Sequence, residues 1–136
     1  MDELVKKFSI LSRRSEISLG KSLQDLSVTG GQVMYIMCIC EHRGLSQEDL
    51  ASELRINKGV VARTMQRFEK NGYITRVLSE KDRRQYRLLP TEKAENIYHA
   101  IRQANSEWED RLTRNLSGNE KKTLSVLLDK LLKNLD

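Results

Sequence analysis

The chain gives two of its 136 residues to cysteine, two to histidine, one to proline and 5% to aromatics. Each scarcity excludes something. Cys38 and Cys40 sit two apart in an apolar run. On a helix they point about 200° apart, so they cannot bridge to each other, and the chain is no disulfide scaffold. With only His42 and His99, a histidine base or a metal centre has few parts. Cys38 and His42 share a helix face at i, i+4, but no second ligand pair stands at metal-site spacing, so no metal is expected. There is no phosphate loop, dinucleotide glycine pattern or nucleophile motif, and neither an enzyme nor a cofactor is expected. The opening MDELVKKF carries acids and no long apolar run follows it. Neither a secretory signal nor a membrane span is therefore expected, and the chain is expected in the cytoplasm. Low-complexity linkers and internal repeats are missing as well.

What is present is a single domain's length of chain, 38% hydrophobic, drawn from Leu, Ile, Val and Met. That composition fits a soluble, mostly helical protein. The net charge of +5 is modest, but its distribution is uneven. Residues 55–87 hold ten Lys or Arg against three acids, a net +7; the remainder, with fourteen cations and sixteen acids, comes to −2. The densest part is RVLSEKDRRQYRLL, residues 76–89, with Arg76, Lys81, Arg83, Arg84 and Arg87 against only Glu80 and Asp82. Such a block is the electrostatic footprint of a polyanion partner.

Caps and periodicity divide the chain. A first helix is expected over about 3–20, with Leu4, Phe8, Leu11 and Ile17 on one face. Thr29 and Gln32 form a capping box before Val33–Cys40, eight consecutive apolar residues; a helix apolar all round belongs at the centre of a domain. Ser46 and Asp49 box a short helix with Leu50, Ala51 and Leu54 inward, and Asn57 caps the next, which Gly72 ends. ITRVLS and QYRLL read as two strands around the turn-like SEKDRR. Thr91 caps a long helix with Ile97, Ile101, Ala104, Trp108 and Leu112 on one stripe. Ser117 and Glu120 box the last, which carries Leu124, Leu127, Leu128, Leu131, Leu132 and Leu135.

Two short helices joined by about three residues make a helix-turn-helix, and a hairpin directly after it makes a winged helix. On the second of these helices Val61, Met65 and Phe68 form the inward stripe. Gly59, Arg63, Gln66 and Lys70 point away from it, flanked by Lys58, Ala62 and Arg67. Arg and Gln can bond to base edges, while small residues allow close approach to a groove. The cation-rich hairpin is then the wing, whose Lys81, Arg83 and Arg84 reach phosphates or the minor groove. Asp82 is placed to pair with a neighbouring Arg and shape the turn.

The run from Leu45 to Ala94 resembles the DNA-binding lobe of the MarR family of bacterial and archaeal transcription regulators. The most specific match is the wing signature, Asp82-x-Arg84 followed by Tyr86, Leu88 and Thr91. Helix order before and after fits too, so the resemblance covers essentially the whole chain. Pro90 stands where the family usually has Leu, Ala94 where it has Gly, and Asn57-Lys58-Gly59 departs from the usual Ser-rich helix start. The resemblance implies a lobe of about 30–90 and a helical dimerisation region of about 1–25 and 91–136. It also implies a homodimer on a pseudo-palindromic duplex, and effectors, often phenolic or anionic, bound between dimer core and lobe.

Met34, Tyr35 and Cys38, on a second apolar face of the central helix, could line such a cavity with Arg13 or Arg14 as anion partners; plain packing against the first helix is the alternative. Val33, Ile36, Met37 and Cys40 share the other face, which makes Cys40 a core residue and leaves Cys38 opposite. The expected function is a sequence-specific repressor released by a small molecule. The competing function is a winged-helix module for RNA or for protein contacts, without operator specificity.

Overall fold

Local capping chemistry decides where the helices begin. The computed structural model describes residues 2–24, 26 and 28–135. In chain order it contains α1 (Glu3–Ser22), α2 (Gly30–Glu41), α3 (Gln47–Leu54), α4 (Lys58–Lys70), β1 (Ile74–Leu78), β2 (Tyr86–Pro90), α5 (Glu92–Leu112) and α6 (Gly118–Lys133). The Thr29 amide donates to Gln32 Oε1 at 3.1 Å and opens α2. Ser46 Oγ accepts from the Asp49 amide at 3.0 Å while Asp49 Oδ2 accepts from the Ser46 amide at 3.1 Å, a closed box that starts α3. Asn57 Oδ1 accepts from the Gly59 amide at 2.8 Å to start α4. Ser117 and Glu120 repeat the box at α6. The first helix runs through Gly20 to Ser22, past its expected end.

α2 packs against α1, α3, α5 and β2, the central place its uniform apolarity demanded. The core joins Val33, Ile36 and Ile39 of α2 to Leu50 of α3, Val61, Met65 and Phe68 of α4, Leu88 of β2, and Ile97 and Ile101 of α5. Phe68 meets Tyr35 edge-on at 5.8 Å and Tyr73 at 5.2 Å between ring centres, arrangements aromatic quadrupoles favour.

The hairpin is antiparallel, with Arg76 opposite Leu88 and Leu78 opposite Tyr86. Pro90 closes β2 opposite Ile74, at the end of an edge strand, where proline is tolerated. On its far side Leu88 exchanges backbone bonds with Gly44 and Leu45, both at 2.9 Å, so the wing is tied to the segment that precedes α3. Gly44 has φ +89°, and a Cβ there would run into the Arg87 guanidinium. Glycine is needed at this corner.

Neither α1 nor α6 has a buried residue. Leu4, Phe8 and Leu11 on one, and Leu124, Leu127 and Leu131 on the other, stand exposed, as does Leu135 just past α6. No described helix is long and apolar enough to cross a membrane.

Candidate nucleic-acid interface

α4 buries Val61, Thr64, Met65 and Phe68 and turns Lys58, Arg63, Gln66 and Arg67 outward. Gly59 and Ala62 are half-buried between the two sets. Gly59 has a structural duty beyond smallness. A Cβ there would lie 3.1 Å from Asn57 Oδ1, the atom that caps the helix. Thr64 was not legible as a core residue; its hydroxyl is satisfied by donating to the Val60 carbonyl at 2.8 Å, a common way to bury threonine in a helix.

The wing tip is organised around Asp82. Its carboxylate accepts from the Arg84 amide at 3.0 Å and faces Arg84 Nε at 3.4 Å. Its own amide donates to Ser79 Oγ at 3.3 Å, and its carbonyl accepts from the Gln85 amide at 3.0 Å. Asp82 is thus an Asx-turn residue that shapes the loop. The Arg84 side chain stays 91% exposed, so the ion pair contributes at most about 1 kcal/mol to the fold. Lys81 and Arg83 are exposed beside it.

The remaining cations of the basic block serve other ends. Arg76 is mostly buried, with Nε 3.6 Å from Glu69 of α4. Arg87 Nε donates to the Gly44 carbonyl at 3.4 Å. Arg55, in the left-handed conformation at φ +56°, donates to the Leu132 carbonyl in α6. Lys58 lies 3.4 Å from Glu48. The exposed cations are Arg63, Arg67 and Lys70 on α4 and Lys81, Arg83 and Arg84 on the wing, with Lys58, Arg55 and Arg87 also exposed but engaged by the partners just named.

A family model described as the MarR family matches residues 28–86. The transcriptional regulator BilQ of Clostridium symbiosum, of the HTH type, is 33% identical over 109 residues, 80% of this chain and 76% of that one. The crystal structure of a MarR transcriptional regulator from Methanosarcina mazei Go1 is 30% identical, covers 96% of this chain and 94% of its own, and superposes with a TM-score of 0.81. The chain belongs to the MarR family. A MarR family regulator from Listeria monocytogenes, described as putative and crystallised with a 26mer DNA, is 25% identical with a TM-score of 0.89, covering 99% of this chain and 90% of that one.

The candidate effector residues of this MarR-family chain are dispersed. Arg14 lines a cavity of about 370 Å³ between α1 and α5, with Lys21, Trp108 and Arg111. Met34 lines another of about 260 Å³ with Ser15, Leu19 and Trp108. Arg13 is exposed on α1, whereas Tyr35 packs on Phe68 in the core. Cys38 is buried in the core and Cys40, on the face expected there, is half-buried against it. Burial first, then nearby Glu53 and Glu41, pushes the Cys38 thiol up. Burial and Glu95 push Cys40 up to about 11. Both are protonated thiols at neutral pH, the unreactive form towards oxidants. Trp108 was read only as a stripe residue. Its Nε1 donates to Ser15 Oγ at 2.9 Å and it lines both cavities, a role no local pattern announces.

Proposed function

We propose that this protein is a homodimeric, sequence-specific DNA-binding transcription regulator, a repressor released by a small-molecule effector. The observation that carries this reading is the Asp82-held Arg84 on the wing together with the outward cations of α4. Two such surfaces, related by a two-fold axis, would read half-sites about one helical turn apart. Residues 30–90 form the DNA-binding lobe; 1–25 and 91–136 supply the dimer, although residues 1, 25 and 136 lie outside the described set. The apolar faces of α1 and α6 support the second copy, because soluble chains seldom leave such surfaces bare. The protein acts by binding, without a catalytic step, and works in the cytoplasm on duplex DNA.

The wing supplies the test, with duplex that the protein selects from a random pool and RNA of the same sequence as probes. Arg84→Ala is expected to leave thermal stability unchanged, to weaken duplex binding and to lower the salt slope by about 0.9, one phosphate contact. Asp82→Ala is expected to weaken binding too, although removing an acid should by charge alone tighten it. Tighter binding by Asp82→Ala would reduce the wing to a diffuse positive patch, and equal affinity for RNA would favour an RNA-binding module instead.

The effector reading is supported by the two cavities that share Trp108 and Ala104. Arg14 lines one cavity and Met34 the other, which supports these two as effector contacts, whereas Tyr35 packs on Phe68 and Cys38 is buried. Small aromatic acids are expected to quench Trp108, the only tryptophan, and to raise the melting temperature. A full set of such acids without either response would leave a repressor that needs no effector.

A further inference from the structure

The far end of α4 is held by residues at the start of α5. Three successive carbonyls where the chain leaves α4 all receive donors from there. Lys93 Nζ donates to the Asn71 carbonyl at 2.9 Å. Thr91 Oγ1 lies 2.6 Å from the Gly72 carbonyl and 3.2 Å from that of Tyr73. With one hydroxyl proton it serves the nearer, and the Thr91 amide serves Tyr73 at 3.1 Å. The same Oγ1 accepts from the Ala94 amide at 3.3 Å, which caps α5. The Lys93 ammonium also stands 4.6 Å over the Tyr73 ring, and that ring packs on Phe68, the buried anchor of α4. Lys93 thus holds the end of α4 in two ways, directly through the carbonyl of its capping residue Asn71 and indirectly through Tyr73, whose ring packs on Phe68.

A cation suits this place because the last carbonyls of a helix lack internal partners and carry the negative end of its dipole. From here α5 runs 21 residues, a rod of about 31 Å, past Trp108, which bonds Ser15 of α1, to Leu112. One end of the rod therefore holds the DNA-facing helix while the other lies in the dimerisation region.

We propose that Lys93 is a positioning residue that sets the angle of α4 on α5, and through it the separation of the two α4 helices in the dimer. Its effect is on which half-site spacing the protein accepts. The proposal rests on the DNA-binding reading above. Thr91 shares the grip but also caps α5, so its loss would confound positioning with stability; Lys93 is the cleaner site.

The experiment uses a duplex that the wild type selects from a random pool, and the same duplex with one base pair added or removed between the half-sites. Lys93→Met keeps an unbranched side chain of similar length and loses the ammonium, with both its hydrogen bond and its place over Tyr73. Its melting temperature and dimer are expected to match the wild type. Affinity for the selected spacing should fall about three- to tenfold, the size of a modest coupling between sites, and the penalty for altered spacing should shrink. The salt slope should not change, and Lys93→Arg should restore the spacing preference. A slope lower by about 0.9 would show a direct phosphate contact and overturn the proposal. Unchanged affinity and spacing preference would overturn it as well, whether or not the melting temperature moved. Failure of the wild type to select any duplex would strike the DNA-binding reading instead.

Discussion

Phe68→Ala is expected to lower the stability of the folded protein by about 3–5 kcal/mol, the usual cost of emptying an aromatic site in a core. The ring is 1% exposed and is the piece between Tyr35 of α2 and Tyr73 beyond the end of α4. Tyr73 cannot slide in to fill the space. Its amide donates to the Phe68 carbonyl at 2.8 Å, and its carbonyl is held by Thr91. A loss of that size is a large share of the 5–15 kcal/mol typical of domains, so DNA binding should fail along with the fold. Chemical denaturation followed by far-UV dichroism measures it. A loss under about 1.5 kcal/mol, at the scale of a volume-conserving core swap, would mean that the neighbouring rings close over the vacancy.

Arg63→Ala acts differently. Arg63 lies on the outward side of α4, opposite the Val61, Met65 and Phe68 stripe, with no duty in the core. A guanidinium there can pair with a guanine edge through two donors, and its loss is expected to lower specific affinity by about 1–3 kcal/mol. Binding to random duplex should change little, and the melting temperature not at all. Competition between a selected and a scrambled duplex separates the cases. Equal losses on both would show that Arg63 touches only phosphate.

The parts of this fold that could be read in advance are those fixed by local chemistry. Ser46 with Asp49, Asn57 before Gly59, Ser117 with Glu120, and the left-handed Gly72 each mark a helix end within a few residues of sequence. The β-branched, aromatic and apolar residues of Ile74–Leu78 and Tyr86–Pro90 around a turn-like segment likewise mark a hairpin. Long-range partners are another matter. The basic block looked uniform, yet Arg55 bonds a carbonyl 77 residues away and Arg87 one 43 residues away. Nothing in the neighbouring sequence distinguishes them from Arg83 or Arg84. The faces of α2 were illegible for a different reason. A helix apolar on every side has no phase, so the burial order of Cys38 and Cys40 had to come from the elements packed around it. The effector candidates on α2 were dispersed by the same ambiguity.

The bare leucines of α1 and α6 also have a consequence in the test tube. If two chains must meet before either is complete, the amount of functional protein obeys mass action and not the number of chains present. Far below the dissociation constant of the pair, halving the total concentration quarters the assembled form. Occupancy of an operator would then rise more steeply than first order in protein, which lets a small change in synthesis act as a switch. A chain with an intact partner-binding face and a ruined α4 would silence its normal partner by capturing it.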